Sequence, residues 1–180
     1  MEMKAIRSII APVALAAMLP ISGIVEAATG SVLIVTAVDP DLNGCLDLTC
    51  IEGVDFVNPP NLVVANGDLF GLTGINVASL SMTDFSWMPF AAPQEVWRFS
   101  NLGIPGRELY FTLDNWTQTN KDANSYDAEG TGTFYVALSS DDSIEQSQAG
   151  VFEISITRAR DGSINYQTDV TTLVPVPAAA

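Results

Sequence analysis

The chain has 180 residues, 48% of them apolar and only 16% charged, with 21 acidic against 7 basic side chains for a net charge of −14. This is enough for one domain with a sizeable core and too apolar for a disordered chain; the charge argues against nucleic acid or anionic lipid as a partner, since both would be repelled. Histidine is absent, which excludes histidine-dependent triads and histidine zinc sites, and Lys121 is the single lysine after residue 28, a poor basis for a serine–lysine mechanism.

The start, "MEMKAIRS", carries Lys4 and Arg7, and an apolar run follows from Ile9 to Leu19. Next comes "PISGIVEAA", with Val25 and Ala27 spaced for signal-peptidase cleavage. The pattern predicts a signal peptide over residues 1–28 and a mature chain from Ala28 or Thr29. A membrane anchor would need about 20 apolar residues, and this run is shorter and bounded by Pro20, with Pro12 inside it. Removing Lys4, Arg7, Glu2 and Glu26 leaves the charge at −14, which suits a protein in an exposed compartment: the cell surface or extracellular space, or the periplasm if it is sorted no further.

Residues 29–173 read as one β domain. "SVLIVTAV" (31–38) is a β-branched strand. In "LVVANGDLF" (62–70), Asn66-Gly67 between apolar runs predicts a tight hairpin turn. "NVASLSMTDF" (76–85) could hold a short helical turn. "EVWRFS" (95–100) puts Trp97 and Phe99 on one face, and "ELYFTLDNW" (108–116) sets Leu109, Phe111 and Leu113 against Tyr110, Thr112 and Asp114. The polar stretch 117–132 reads as a long loop. "GTFYVALS" (132–139) aligns Phe134, Val136 and Leu138; "GVFEISITR" (150–158) aligns Phe152, Ile154 and Ile156. Asp161-Gly162 then turns the chain into "SINYQTDV" (163–170). A period of two almost throughout predicts a single antiparallel β-sandwich, jelly-roll-like, of roughly eight strands.

The candidate chemistry is sparse. In "DPDLNGCLD", Asp39, Asp41, Asn43, the Cys45 carbonyl and Asp47 offer oxygens at a spacing suited to Ca2+. Cys50 stands where a calcium hand has its bidentate Glu, Glu52 falls two residues later, and the flanks are strand-like. The plain alternative is a polar turn in which Asp and Asn cap backbone groups. Cys45 and Cys50 in an exported chain predict a disulfide rather than a redox pair, since four residues separate them and no basic residue lies nearby. Trp87 and Trp116 are candidates for stacking a sugar ring, whereas Trp97 lies on the apolar side of its strand. "NWT" at Asn115 matches a glycosylation acceptor. Glu95, Glu108, Asp114 and Glu153 fall in predicted strands, and nothing in their spacing singles out a catalytic pair.

The ending "VPVPAAA", Val174–Ala180, with Pro175, Val176 and Pro177 forming a Pro-x-Pro motif, resembles the start of the PEP-CTERM sorting signal. The body is similar too: "ANGDLFGLTG" (65–74), "EVWRFS", "LYFTLDN" (109–115) and "EGTGTFYVAL" (129–138) look like the common body of PEP-CTERM proteins, exported proteins of Gram-negative bacteria that make extracellular polysaccharide. The anchor helix and arginine cluster that follow in that family are absent here. The resemblance implies processing by an exosortase-like enzyme at the 174–180 tail and delivery to the cell surface or polysaccharide matrix; a chain with this ending should be released as a soluble protein. The expected partners are thus signal peptidase, an exosortase-like enzyme and extracellular polysaccharide, with no nucleic acid. The expected function is a non-enzymatic exported surface or matrix protein. The alternative is a calcium-dependent carbohydrate-binding module, with Ca2+ in the aspartate loop and a sugar on Trp87 or Trp116. A glycan hydrolase would require two carboxyls facing one cleft.

Overall fold

The computed structural model describes residues 29–42, 44–56, 60–87 and 90–173. The expected signal peptide (1–28), Asn43 of the aspartate loop and the Pro-x-Pro tail (174–180) lie outside the described residues.

The domain is all-β and antiparallel, as the alternation predicts. In chain order the strands are β1 (Thr29–Ala37), β2 (Asp39–Asp41), β3 (Gly53–Asp55), β4 (Leu62–Asp68), β5 (Leu80–Met82), β6 (Phe85–Ser86), β7 (Gln94–Phe99), β8 (Arg107–Leu113), β9 (Thr117–Lys121), β10 (Ser125–Leu138), β11 (Ile144–Arg158) and β12 (Ile164–Thr172). Short 3-10 turns cover Leu48–Cys50 and Val77–Ser79. One large curled sheet runs β4-β1-β12-β11-β10-β8-β7-β5, with β9 also paired to β10; a small sheet holds β2-β3-β6. Both contribute to a single core. The large sheet supplies Val32, Ile34, Trp97, Phe99, Phe111, Phe134, Phe152 and Ile154 to it, and the segments around the small sheet supply Leu48, Ile51 and Val54. The phases read for 95–100, 108–116 and 150–158 are the ones observed: Trp97, Phe99, Leu109, Phe111, Leu113, Phe152, Ile154 and Ile156 are all buried. Asn76 caps the turn at 77–79, and Gly162 at φ 90° turns the chain between β11 and β12.

Two expectations are corrected. Residues 117–132 are not a loop. They form β9, a turn and the first half of β10. Asp122 makes the turn by accepting from the Asn124 and Ser125 amides at 2.7 and 2.8 Å. The buried face of β10 then runs Tyr126, Ala128, Gly130, Gly132, Phe134, Val136, an alternation concealed by its small members. Nor does Asn66-Gly67 turn the chain. β4 runs through it, with Asn66 opposite Ser31 and Gly67 opposite Gly30. Only Gly67 takes a positive φ, 74°, whereas the hairpin turn needs both residues there. The β-branched run of β1 supplies a longer ladder for β4 than "DLFG" would, and the chain turns instead at Leu69–Leu72, where Asp68 accepts from the Gly71 amide at 2.7 Å.

β8 and β9 pair along the same edge of β10, one after the other. Between them the Asp114 and Asn115 amides both donate to the Thr131 carbonyl, at 2.9 and 3.2 Å, a step that displaces Trp116 from the ladder. Close approach here requires glycine: a Cβ on Gly130 would run into the Asn115 carbonyl, and one on Gly132 into the Thr112 carbonyl and the Phe111 ring. On the outer face Arg98 joins Glu95, Glu108 and Asp142 at 2.6, 2.7 and 2.8 Å and lies 4.4 Å over the Tyr110 ring. One guanidinium thereby offsets three carboxylates on adjacent strands and a turn.

Gly132→Ala should destabilise the domain by about 1–3 kcal/mol through overpacking, while Thr131→Ser, at an exposed neighbour, changes little. Urea unfolding of the two variants checks this; equal midpoints would contradict the close approach.

Candidate functional site

The segment after β2 is a small covalent ring. Cys45 and Cys50 form the expected disulfide, with Cα atoms 5.9 Å apart. Inside it Asp47 caps the 3-10 turn, accepting from the Thr49 amide at 2.9 Å and the Thr49 hydroxyl at 2.5 Å. These bonds hold the Asp47 carboxyl below its ordinary pKa. The ring is docked on the body by the Leu48 amide on the Ala123 carbonyl (3.4 Å) and by Arg158 on the Leu46 carbonyl (2.6 Å).

This docking presents the Ile51 carbonyl to two side chains from elsewhere in the fold. The Trp87 indole N–H donates to it at 3.2 Å and the Lys121 ammonium at 3.5 Å. Trp87 stacks on Trp116 with centroids 5.1 Å apart and on Tyr126 at 5.0 Å, and Trp116 and Tyr126 lie 5.9 Å apart, all three rings within 20° of parallel. Burial pushes the Tyr126 hydroxyl up to about 12, against a hydrogen bond from Trp116 that lowers it. The rings wall a pocket of about 560 Å3 whose polar lining comes from Thr49, Glu52, Gln118 and Lys121, with the disulfide on its rim. Volume and lining both fit a small-ligand site: mostly apolar, with a few placed polar groups.

The expected site residues fall into place unevenly. Trp87 and Trp116 come together, but Trp87 is only 5% exposed and forms the back wall. Trp116 is half-buried and offers the accessible ring. Asp39 and Asp41 lie exposed on β2, opposite Asp55 and Gly53 of β3, and Asp47 is engaged in its cap. Among the described residues no three carboxylate or cysteine side chains converge as metal ligands would. Asn115 exchanges hydrogen bonds with Thr131, its amide nitrogen donating to the hydroxyl and its oxygen accepting from the Thr131 amide at 2.9 Å. Tyr126, Gln118 and Lys121 were hidden in the stretch read as a loop. The alternation of 126–136, with glycine counted as buried, would have revealed Tyr126; nothing local marks Gln118 and Lys121 on β9.

Of the strand carboxylates, Glu95 and Glu108 share Arg98. Glu153 sits in a row of like charges on the outer face, directly between Glu129 of β10 and Asp169 of β12. Such pairing is unfavourable. Asp169 Oδ1 is buried without a hydrogen-bond partner, and burial raises the Asp169 pKa. The row carries a cost in stability and no aromatic or cationic group that would hold a substrate against it.

Two outcomes follow from these contacts. Replacing both cysteines by serine should cost about 2 kcal/mol from loop entropy and shift the near-ultraviolet circular dichroism of the ring cluster, because the Ile51 carbonyl loses its fixed position. For Asp169, a native pKa above the unfolded value means that the native state binds its proton more tightly, so stability rises as pH falls through the raised pKa toward 3.8. Asp169→Asn should therefore melt higher than the parent at pH 7, with the gap closing as pH drops into that window. The surface aspartates whose pKa values are lowered, Asp47, Asp122, Asp141 and Asp161, lose stabilisation as pH falls below 3.8, in both proteins alike, and cancel in the comparison. A gap that is constant with pH would refute the assignment. Compared with protein-family models, with curated proteins and with solved structures, the chain matches none.

Proposed function

We propose that this is a non-enzymatic exported protein of the surface or extracellular matrix of a Gram-negative bacterium, delivered by an exosortase-like route, whose folded domain holds a saccharide chain against Trp116. The export pattern at 1–28 and the Pro-x-Pro tail support the route. The observation that carries the binding role is the pocket: an accessible indole face backed by two parallel rings, beside hydrogen-bonding groups of both kinds on Glu52, Gln118 and Lys121. A pyranose presents the matching surfaces, an apolar C–H face for the ring and hydroxyls for the polar rim. The calcium-dependent form of this reading places Ca2+ in the loop of Asp39, Asp41, Asn43 and Asp47, and a chelator arm in the same titration decides it.

Intrinsic tryptophan fluorescence should change on adding oligosaccharide, with no new reducing ends formed. Trp116→Ala should weaken binding by about tenfold, the scale of one aromatic contact worth about 1.5 kcal/mol. Binding that survives Trp116→Ala unchanged, or release of reducing ends, would overturn the proposal.

A further inference from the structure

Lys121 is the only lysine between Thr29 and Ala180, in a chain with a net charge of −14. In so acidic a protein a cation is expected to find a carboxylate. Arg98 and Arg107 do, whereas Arg158 reaches the Leu46 carbonyl. Lys121 is in none of those ion pairs. Its ammonium instead reaches the Ile51 carbonyl at 3.5 Å and lies 5.9 Å from the centre of the Tyr126 ring, inside the aromatic pocket. An ammonium has three donors, and neither of these neighbours carries a negative charge. Half-buried beside these uncharged neighbours, the ammonium keeps donors for a carboxylate that a ligand supplies.

The same ammonium works against a cationic guest, because it already stands at the ring face where an ammonium ligand would sit. Glu52, also in the lining, accepts hydrogen bonds and so suits hydroxyl donors. One carboxylate together with several hydroxyls on a ring with an apolar face describes a uronic acid. Resting on the saccharide reading above, we infer that the pocket selects a uronate-bearing saccharide, with the sugar carboxylate on Lys121 Nζ, a hydroxyl on Glu52 and the pyranose face on Trp116. Lys121 is then the specificity-determining residue. The overall negative field opposes a long polyanion, so recognition depends on short-range contact and favours chain ends or sparsely charged polymers.

The test is calorimetric titration of the full chain with tetragalacturonate and with its carboxyl-reduced neutral counterpart, at 0.15 M salt, where charges beyond about 8 Å are screened. The parent should bind the acidic tetrasaccharide about tenfold more tightly than the neutral one, the scale of one charge-assisted hydrogen bond. Lys121→Met should bring the two affinities within about twofold of each other, and Lys121→Arg should retain the difference. Equal affinity of the parent for both sugars, or a preference that persists in Lys121→Met, overturns the inference and leaves saccharide binding standing. If neither tetrasaccharide binds the parent, the saccharide reading falls as well. Matching melting temperatures for the Met and Arg variants separate lost recognition from lost fold.

Discussion

Two backbone amides on one carbonyl govern the rest of this structure. Asp114 and Asn115 both donate to Thr131, so the edge of β10 changes partner from β8 to β9 at that point. A continuous ladder would keep residue 116 in register with the sheet. The step instead turns Trp116 in toward Trp87 and Phe152. It is tolerated because β10 carries glycine at 130 and 132, where the opposing carbonyls leave no room for a Cβ. The glycines therefore serve the position of one aromatic ring on the neighbouring strands rather than flexibility in their own.

The opposite wall of the pocket is built on a different principle. The disulfide ring buries one large side chain, Leu48, and is otherwise held covalently, by its own Asp47 cap and by hydrogen bonds to the body. What it contributes is a fixed backbone acceptor. The Ile51 carbonyl gathers the Trp87 indole and the Lys121 ammonium from segments far apart in sequence. Charge is arranged with the same economy. Few cations are present: Arg98 offsets several carboxylates and Arg107 one, whereas Lys121 turns to the Ile51 carbonyl. The row of Glu129, Glu153 and Asp169 remains uncompensated on the outer face.

The fold was largely legible because most strands have a clear apolar side. Val32 and Ile34, Trp97 and Phe99, and Phe152, Ile154 and Ile156 announce their phase through large side chains. Where the buried side is small the signal fades: Ala128, Gly130 and Gly132 look like a loop although they line the core as strictly as Phe134 does. Asn66-Gly67 has the chemistry of a turn, yet local preference yields to the long ladder with β1. The site was legible in part. The two cysteines and Trp116 could be picked out by residue type, but their convergence with Tyr126 and Lys121 depends on the partner change along β10, which leaves no local mark. The aspartates after β1 stand out through spacing alone; in the fold Asp39 and Asp41 lie on the short β2–β3 ladder and Asp47 caps the 3-10 turn.

A domain with a single primary amine on its side chains after residue 28 also has an uneven chemical vulnerability. Aldehydes, including the open-chain form of reducing sugars, condense with primary amines and largely spare guanidinium groups under mild conditions. Apart from the chain terminus, they would find one target here, at the aromatic pocket. Glycation or aldehyde fixation would therefore close that cavity while leaving the strands, the carboxylates and the arginine pairs as they were.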